Sequence, residues 1–230
     1  MSTDFPALPT FKGSSPVIDP EQVAVLLIDH QSGLFQVVGD LVVQDLRRNV
    51  TVLAKVAGKL GLPVVATASV PQGPNGPLIP EIQEHAPQSV YVPRKGEVNA
   101  WDCKDFVKAV RATKKKQLII AGTLTTVCMA FPAISAVAEG YQVFVVPDAS
   151  GAPTTMAQQL TLARLVQAGV VPMDLTACVS ELQQTWHRPD AMEWMDIWSE
   201  MLPGYRLLVE AHQKAQEVER TGEPLDSERD

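Results

Sequence analysis

The run Val23-Ala24-Val25-Leu26-Leu27-Ile28, closed by Asp29, constrains this chain more than any other segment. An unbroken apolar run of this length reads as a strand covered on both faces, and such strands belong to parallel sheets with helices above and below. Further apolar segments fit strands at 62–67, 89–92, 117–121, 142–146 and 170–173. Between them lie stretches with helical spacing at 41–60, 105–113, 129–138, 154–168, 176–184 and 191–201; in the first, Leu46, Val50, Leu53, Val56, Ala57 and Leu60 share one face. Strands alternating with helices predict a three-layer α/β/α, doubly wound and mostly parallel sheet with right-handed crossovers. In that architecture a ligand site forms at the carboxyl ends of the strands. The turn-rich Gln72-Gly73-Pro74-Asn75-Gly76-Pro77 predicts a long loop over 69–80.

The 230 residues, 46% of them hydrophobic, carry apolar periodicity with no linker, so one domain is expected over 21–212. Residues 1–20 read as an N-terminal arm and residues 213–230 as a polar, mobile C-terminal tail. A net charge of −7 argues against nucleic acid or an anionic membrane as partner. No apolar run approaches the ~18 residues of a membrane helix, and the N-terminus lacks a leader pattern. The three cysteines, Cys103, Cys128 and Cys178, include no CxxC pair, which suits a reducing compartment. A cytoplasmic location is therefore expected.

Three strand ends carry residues able to do chemistry. Asp29 closes the first strand, Arg94-Lys95 follow the third, and Cys128 follows the apolar Leu118-Ile119-Ile120 at the start of a helix. Each has a plain alternative: a turn or cap for Asp29, an exposed turn for Arg94-Lys95, a small core residue for Cys128. Gathered at one sheet edge they suit nucleophilic catalysis, with a helix N-terminus and a cation favouring the thiolate and a carboxylate moving the proton. The four histidines, His30, His85, His187 and His212, form no HxH or HxxxH pair, so neither a metal nor a cofactor is expected.

Five stretches sharpen this reading: Leu27-Ile28-Asp29-His30-Gln31, Gly73-Pro74-Asn75-Gly76-Pro77, Asn99-Ala100-Trp101-Asp102, Ala121-Gly122 through Cys128, and Pro147-Asp148-Ala149-Ser150-Gly151. In order and spacing the chain resembles the isochorismatase-like cysteine hydrolases, and among them the YcaC-type branch. The resemblance implies an Asp–Lys–Cys triad acting on a small amide, imide or related carbonyl. Asp29 matches the acid and Cys128 the nucleophile. The cation departs from the usual lysine: Arg94 matches it in Arg94-Lys95-Gly96, with Lys95 as the alternative. An arginine is a fixed cation and leaves proton transfer to Asp29. The resemblance further implies a cis peptide at Leu124–Thr125, whose N–H groups join that of Cys128 in an oxyanion hole. It also implies a homo-oligomer, as the branch forms ring-like octamers; the histidine spacing argues against the Asp/His/His metal set that nicotinamidase relatives carry. Gln31, Asn99 and Trp101 lie near these strand ends as substrate contacts; capping is the alternative for Asn99 and core filling for Trp101. Two other functions compete with hydrolysis: a redox-responsive thiol and a catalytically silent oligomeric binding module.

Overall fold

The structure, a computed structural model, describes residues 16–223. Residues 1–15 of the expected arm and 224–230 of the expected tail lie outside the described residues. The described chain divides into two compact units between Trp186 and His187, ahead of the boundary at residue 213 that composition suggests.

In the first unit six strands form one sheet: β1 (Val23–Ile28), β2 (Val64–Ser69), β3 (Val90–Arg94), β4 (Gln117–Gly122), β5 (Gln142–Val145) and β6 (Val171–Pro172). All pairings are parallel and the order is β3-β2-β1-β4-β5-β6. The helices are α1 (Val43–Lys59), α2 (Glu81–His85), α3 (Lys104–Ala112), α4 (Ala130–Ala138), α5 (Thr155–Gln167) and α6 (Leu175–Gln183). The strand pleat sorts the core. Ala24, Leu26 and Ile28 of β1 pack with Leu118 and Ile120 of β4 against Phe106 and Val110 of α3, Ala133 of α4 and Leu165 of α5. Val23, Val25 and Leu27 alternate to the opposite face, the side on which α1 contacts α2 and α6. Burying a side chain such as Leu26 contributes roughly 1.5–3 kcal/mol, and β1 is buried along its whole length.

Strand order runs outward from β1 to β2 and β3 on one side, and from β4 to β5 and β6 on the other. The β1–β4 junction is therefore the switch point at which a crevice opens beyond the carboxyl ends. Ile28 pairs with both Thr67 and Gly122, and Ser69 with Arg94, so the four strand ends are level.

Two elements depart from expectation. Helix α2 follows directly on the 69–80 loop, where no helix was anticipated. In the second unit α7 (Ala191–Met201) is followed by α8 (Pro203–Thr221), so the polar stretch after residue 213 is helical through Thr221. Proline opens α8 at its first turn, no glycine or proline interrupts it after Gly204, and Gly222 with φ 80° ends it. An i,i+3 pair between Lys214 and Glu217 lies on its surface.

Candidate active site

Asp29 leaves β1 with a left-handed backbone, φ 57°, a conformation aspartate tolerates better than most residues. The Gln31 N–H donates to the Asp29 carbonyl at 2.7 Å, closing a tight turn. The carboxylate then sits across the β2 end, where Ser69 N–H donates to Oδ1 at 2.9 Å. Its Oδ2 accepts from Arg94 Nη2 in an ion pair buried on both sides.

The pleat of β3 decides between the two candidate cations. Val92 and Arg94 point inward while Lys95, past the strand end, is exposed. Every nitrogen of the Arg94 guanidinium is engaged. Nε donates to Thr67 Oγ1 at 3.1 Å, Nη1 to the Glu97 carbonyl, and Nη2 to Asp29. The fork is thus locked by three groups on different segments, a geometry an ammonium cannot reproduce.

Cys128 lies in a π-type turn, Thr125–Met129, that leads into α4. Pro132 has no N–H to offer the Cys128 carbonyl, so the ordinary helical ladder cannot begin there. Met129 N–H instead donates to the Leu124 carbonyl at 3.2 Å. Gly122, at the end of β4, makes room: a Cβ there would lie 2.9 Å from the Cys128 carbonyl carbon and 3.0 Å from its oxygen. The cis peptide joins Thr123 to Leu124, one residue before the expected Leu124–Thr125 bond. Tertiary hydrogen bonds account for the register. Thr123 continues β4, its N–H donating to Ile28 O and its hydroxyl to Ser150 O; Thr125 is pinned to Gly151 O through both N–H (2.7 Å) and hydroxyl (2.9 Å). The turn between these anchors falls on Leu124. Because the Thr125 N–H is spent on Gly151, it is not available to an oxyanion, a correction to the expected donor set.

The electrostatics of the sulfur also reverse the expectation. Burial pushes the Cys128 thiol well above the ordinary range, and the negative charge of the Asp29 carboxylate pushes it further; the Leu124 backbone N–H and Arg94 oppose this more weakly. Burial and the neighbouring carboxylate thus favour the protonated thiol, against the thiolate that a helix N-terminus alone would favour. His30 is fully buried, its Nε2 donating to Ala149 O at 2.9 Å, and burial lowers its pKa to about 4.

A cavity of about 230 Å³ opens above these groups. Asp29 and Cys128 form its floor; Leu34, Leu124, Val127 and Val98 supply apolar walls; Ser69, Asn75, Gly96 and Glu97 complete the rim. The loop bearing Asn75 docks by close backbone approach at Gly33, whose N–H donates to Asn75 O at 2.8 Å; a Cβ on Gly33 would stand 2.3 Å from Pro74 O. Gln31, Asn99 and Trp101 are absent from the lining. The Gln31 amide donates to Ser69 O and Gly76 O and accepts from Ser69 N–H, so it ties the loop to β2. Asn99 caps a short helical turn through Trp101 N–H at 3.0 Å and donates to Ser135 Oγ. Trp101 packs edge-on against Phe106 and Tyr141 and donates to Glu139 at 2.8 Å. Sequence reasoning missed Leu34, Ser69, Glu97, Val98 and Val127, each only a few residues from a singled-out position. Among the described residues no group of three or more His, Cys, Asp or Glu side chains converges, and no helix is long and apolar enough to cross a membrane.

The isochorismatase domain family model matches residues 23–177. The probable hydrolase YcaC of Escherichia coli (strain K12) is 45% identical over 195 residues, which span 85% of this chain and 93% of that protein. Its 1.8 Å crystal structure, described as an octameric hydrolase of unknown specificity, superposes with a TM-score of 0.84 at 43% identity, covering 88% of this chain and all of that one. YcaC from Pseudomonas aeruginosa, solved with hexane-2,5-diol and covalent acrylamide, gives a TM-score of 0.84 at 44% identity over 87% of this chain and 98% of that one.

Proposed function

From a chain that belongs to the isochorismatase family, we propose a metal-independent cysteine hydrolase acting on an amide, imide or related C–N bond of a small molecule. The observation that carries the reading is the convergence of the Asp29 carboxylate and the Cys128 thiol in the lining of one cavity, with Arg94 ion-paired to the same carboxylate.

The chemistry follows from the protonation states. The thiol is protonated at rest, so attack and proton transfer are coupled: Sγ bonds to the substrate carbonyl carbon as Asp29 takes the thiol proton. Arg94 cannot exchange a proton, and its charge steadies the carboxylate. The developing oxyanion lies against the Cys128 N–H at the start of the helix. Collapse of the tetrahedral intermediate breaks the C–N bond, and Asp29 returns its proton to the departing nitrogen. Water, deprotonated by Asp29, then attacks the thioester; the carboxylic acid leaves and the thiol is restored.

The Pseudomonas aeruginosa protein is described with covalent acrylamide; acrylamide bonds to nucleophiles through its alkene, so that relative supports a reactive nucleophile here rather than a particular acyl group. The octameric Escherichia coli structure supports a homo-oligomer for this chain. A redox-sensing role draws less support, because susceptibility follows thiolate character and exposure, whereas burial and Asp29 keep Cys128 a half-buried thiol. The test is a screen of amides, imides, carbamoyl compounds and esters beside Cys128→Ala, with intact-mass detection of an acyl adduct. Hydrolysis that vanishes in the variant supports the nucleophile; full retention overturns it.

A further inference from the structure

The charge around the Cys128 cavity is one-sided. The ionisable side chains lining it are Asp29 and Glu97, both acids, beside the Cys128 thiol itself. Among the described residues no lysine or arginine lines it. Arg94 is fully buried, bonded to Thr67, Glu97 O and Asp29, and absent from the lining, so it does not present itself to an incoming anion. Lys95 is exposed and absent from the lining. Arg94 is ion-paired with Asp29, and Glu97 adds a second carboxylate to the lining. Its carboxylate is held on the rim by Lys95 N–H at 2.8 Å, and its pKa is lowered chiefly by backbone N–H groups. The remaining wall is apolar: Leu34, Val98, Leu124 and Val127.

A substrate bearing a carboxylate or phosphate near its reacting carbonyl would meet like charge and no lining lysine or arginine among the described residues. The space of about 230 Å³ equals roughly seven to eight water volumes, room for a small acyl group. We propose that this cavity selects uncharged acyl groups and rejects anionic ones, with Glu97 as the specificity-determining residue. The proposal rests on the hydrolase reading for its substrate, but the selectivity belongs to the site and shows without turnover.

Two alkylating probes of nearly equal shape test it on the full chain: neutral iodoacetamide and anionic iodoacetate. Both form the same S–C bond, release iodide and consume the same thiol proton, so the rate ratio cancels thiol ionisation. Rates are read by intact-mass spectrometry at low salt, each divided by its rate with free N-acetylcysteine, with Cys128→Ala marking any labelling of Cys103 or Cys178. The expected result is a normalised preference for the amide of at least about fivefold, reduced by half or more in Glu97→Gln and by added salt. A normalised ratio near one overturns the proposal, as does a preference unchanged in a Glu97→Gln protein whose melting temperature matches the parent. Should that variant fold poorly, the salt series on the parent decides: a preference indifferent to salt refutes the electrostatic assignment. Failure of the hydrolase reading would show instead as turnover surviving Cys128→Ala, with the probe ratio intact.

Discussion

Removing the guanidinium of Arg94 is the sharpest test of how the site is held together. Its side chain is 0% exposed and that of Asp29 2%, so Arg94→Met leaves a carboxylate in the interior with Ser69 N–H as its backbone donor and no cation. Breaking a buried pair from one side typically costs about 3–5 kcal/mol, mostly the penalty of the charge left behind. The Glu97 carbonyl loses its Arg94 donor as well, which pushes the loss toward the upper end. Arg94→Lys restores the charge but reaches one of the three acceptors, so it should fall between parent and Arg94→Met. Urea denaturation gives the free energies, and a double-mutant cycle with Asp29→Asn isolates the pair: the double variant should be more stable than the sum of the singles by about 1 kcal/mol or more. Lys95→Met is the control and should leave the midpoint unmoved. A loss below about 1 kcal/mol in Arg94→Met, or equal effects at both positions, would refute the assignment of Arg94 as the buried cation.

Gly122→Ala places a methyl against the Cys128 backbone, which cannot swing aside as a flexible side chain would; a loss of about 1–3 kcal/mol and slowed alkylation of Cys128 are expected, and an unchanged melt with unchanged labelling contradicts the close approach. Alkylation of Cys128 should keep accelerating with pH beyond the point, near about 8.5, where an ordinary thiol begins to level off. Because Asp29 raises the thiol pKa, Asp29→Asn should speed alkylation at pH 8 while abolishing turnover; slower labelling would reverse the sign of that interaction. His30 is held near pKa 4 by burial, so between about pH 6.5 and 4 the unfolded chain takes up a proton the folded one refuses. Its contribution is complete above pH 6.5 and declines as pH falls, by at most about 1.4 kcal/mol per unit. His30→Gln should show a shallower slope over that window, and superimposable slopes would remove His30 as the source.

The sequence made the architecture legible because apolar runs buried on both faces leave few alternatives to a parallel sheet, and strand ends in such a sheet converge. Asp29 and Cys128 could be placed for that reason. Arg94 could have been separated from Lys95 by parity alone, since Val92 and Arg94 share a face of β3. What escaped was decided by partners distant in sequence. Gln31, Asn99 and Trp101 look available on paper, but their polar atoms are taken by Ser69, Gly76, Ser135 and Glu139. The position of the cis bond follows from contacts with Ser150 and Gly151. The direction of the Cys128 shift follows from burial and a carboxylate brought up from β1, neither of which a helix N-terminus announces. The length of α8 was hidden because its polar composition resembles that of a tail.

The strand order has a consequence for how the site moves. Asp29 and Cys128 hang from β1 and β4, adjacent strands in the middle of the sheet, while Arg94 belongs to β3 at its margin. Local opening begins where backbone hydrogen bonds have a neighbour on one side only. Fraying of β3 would withdraw the guanidinium while nucleophile and base keep their spacing, leaving for that interval an uncompensated carboxylate beside the thiol. Were β3 to fray, the electrostatics of the site would depend on the stability of one edge strand, while the spacing of nucleophile and base would not.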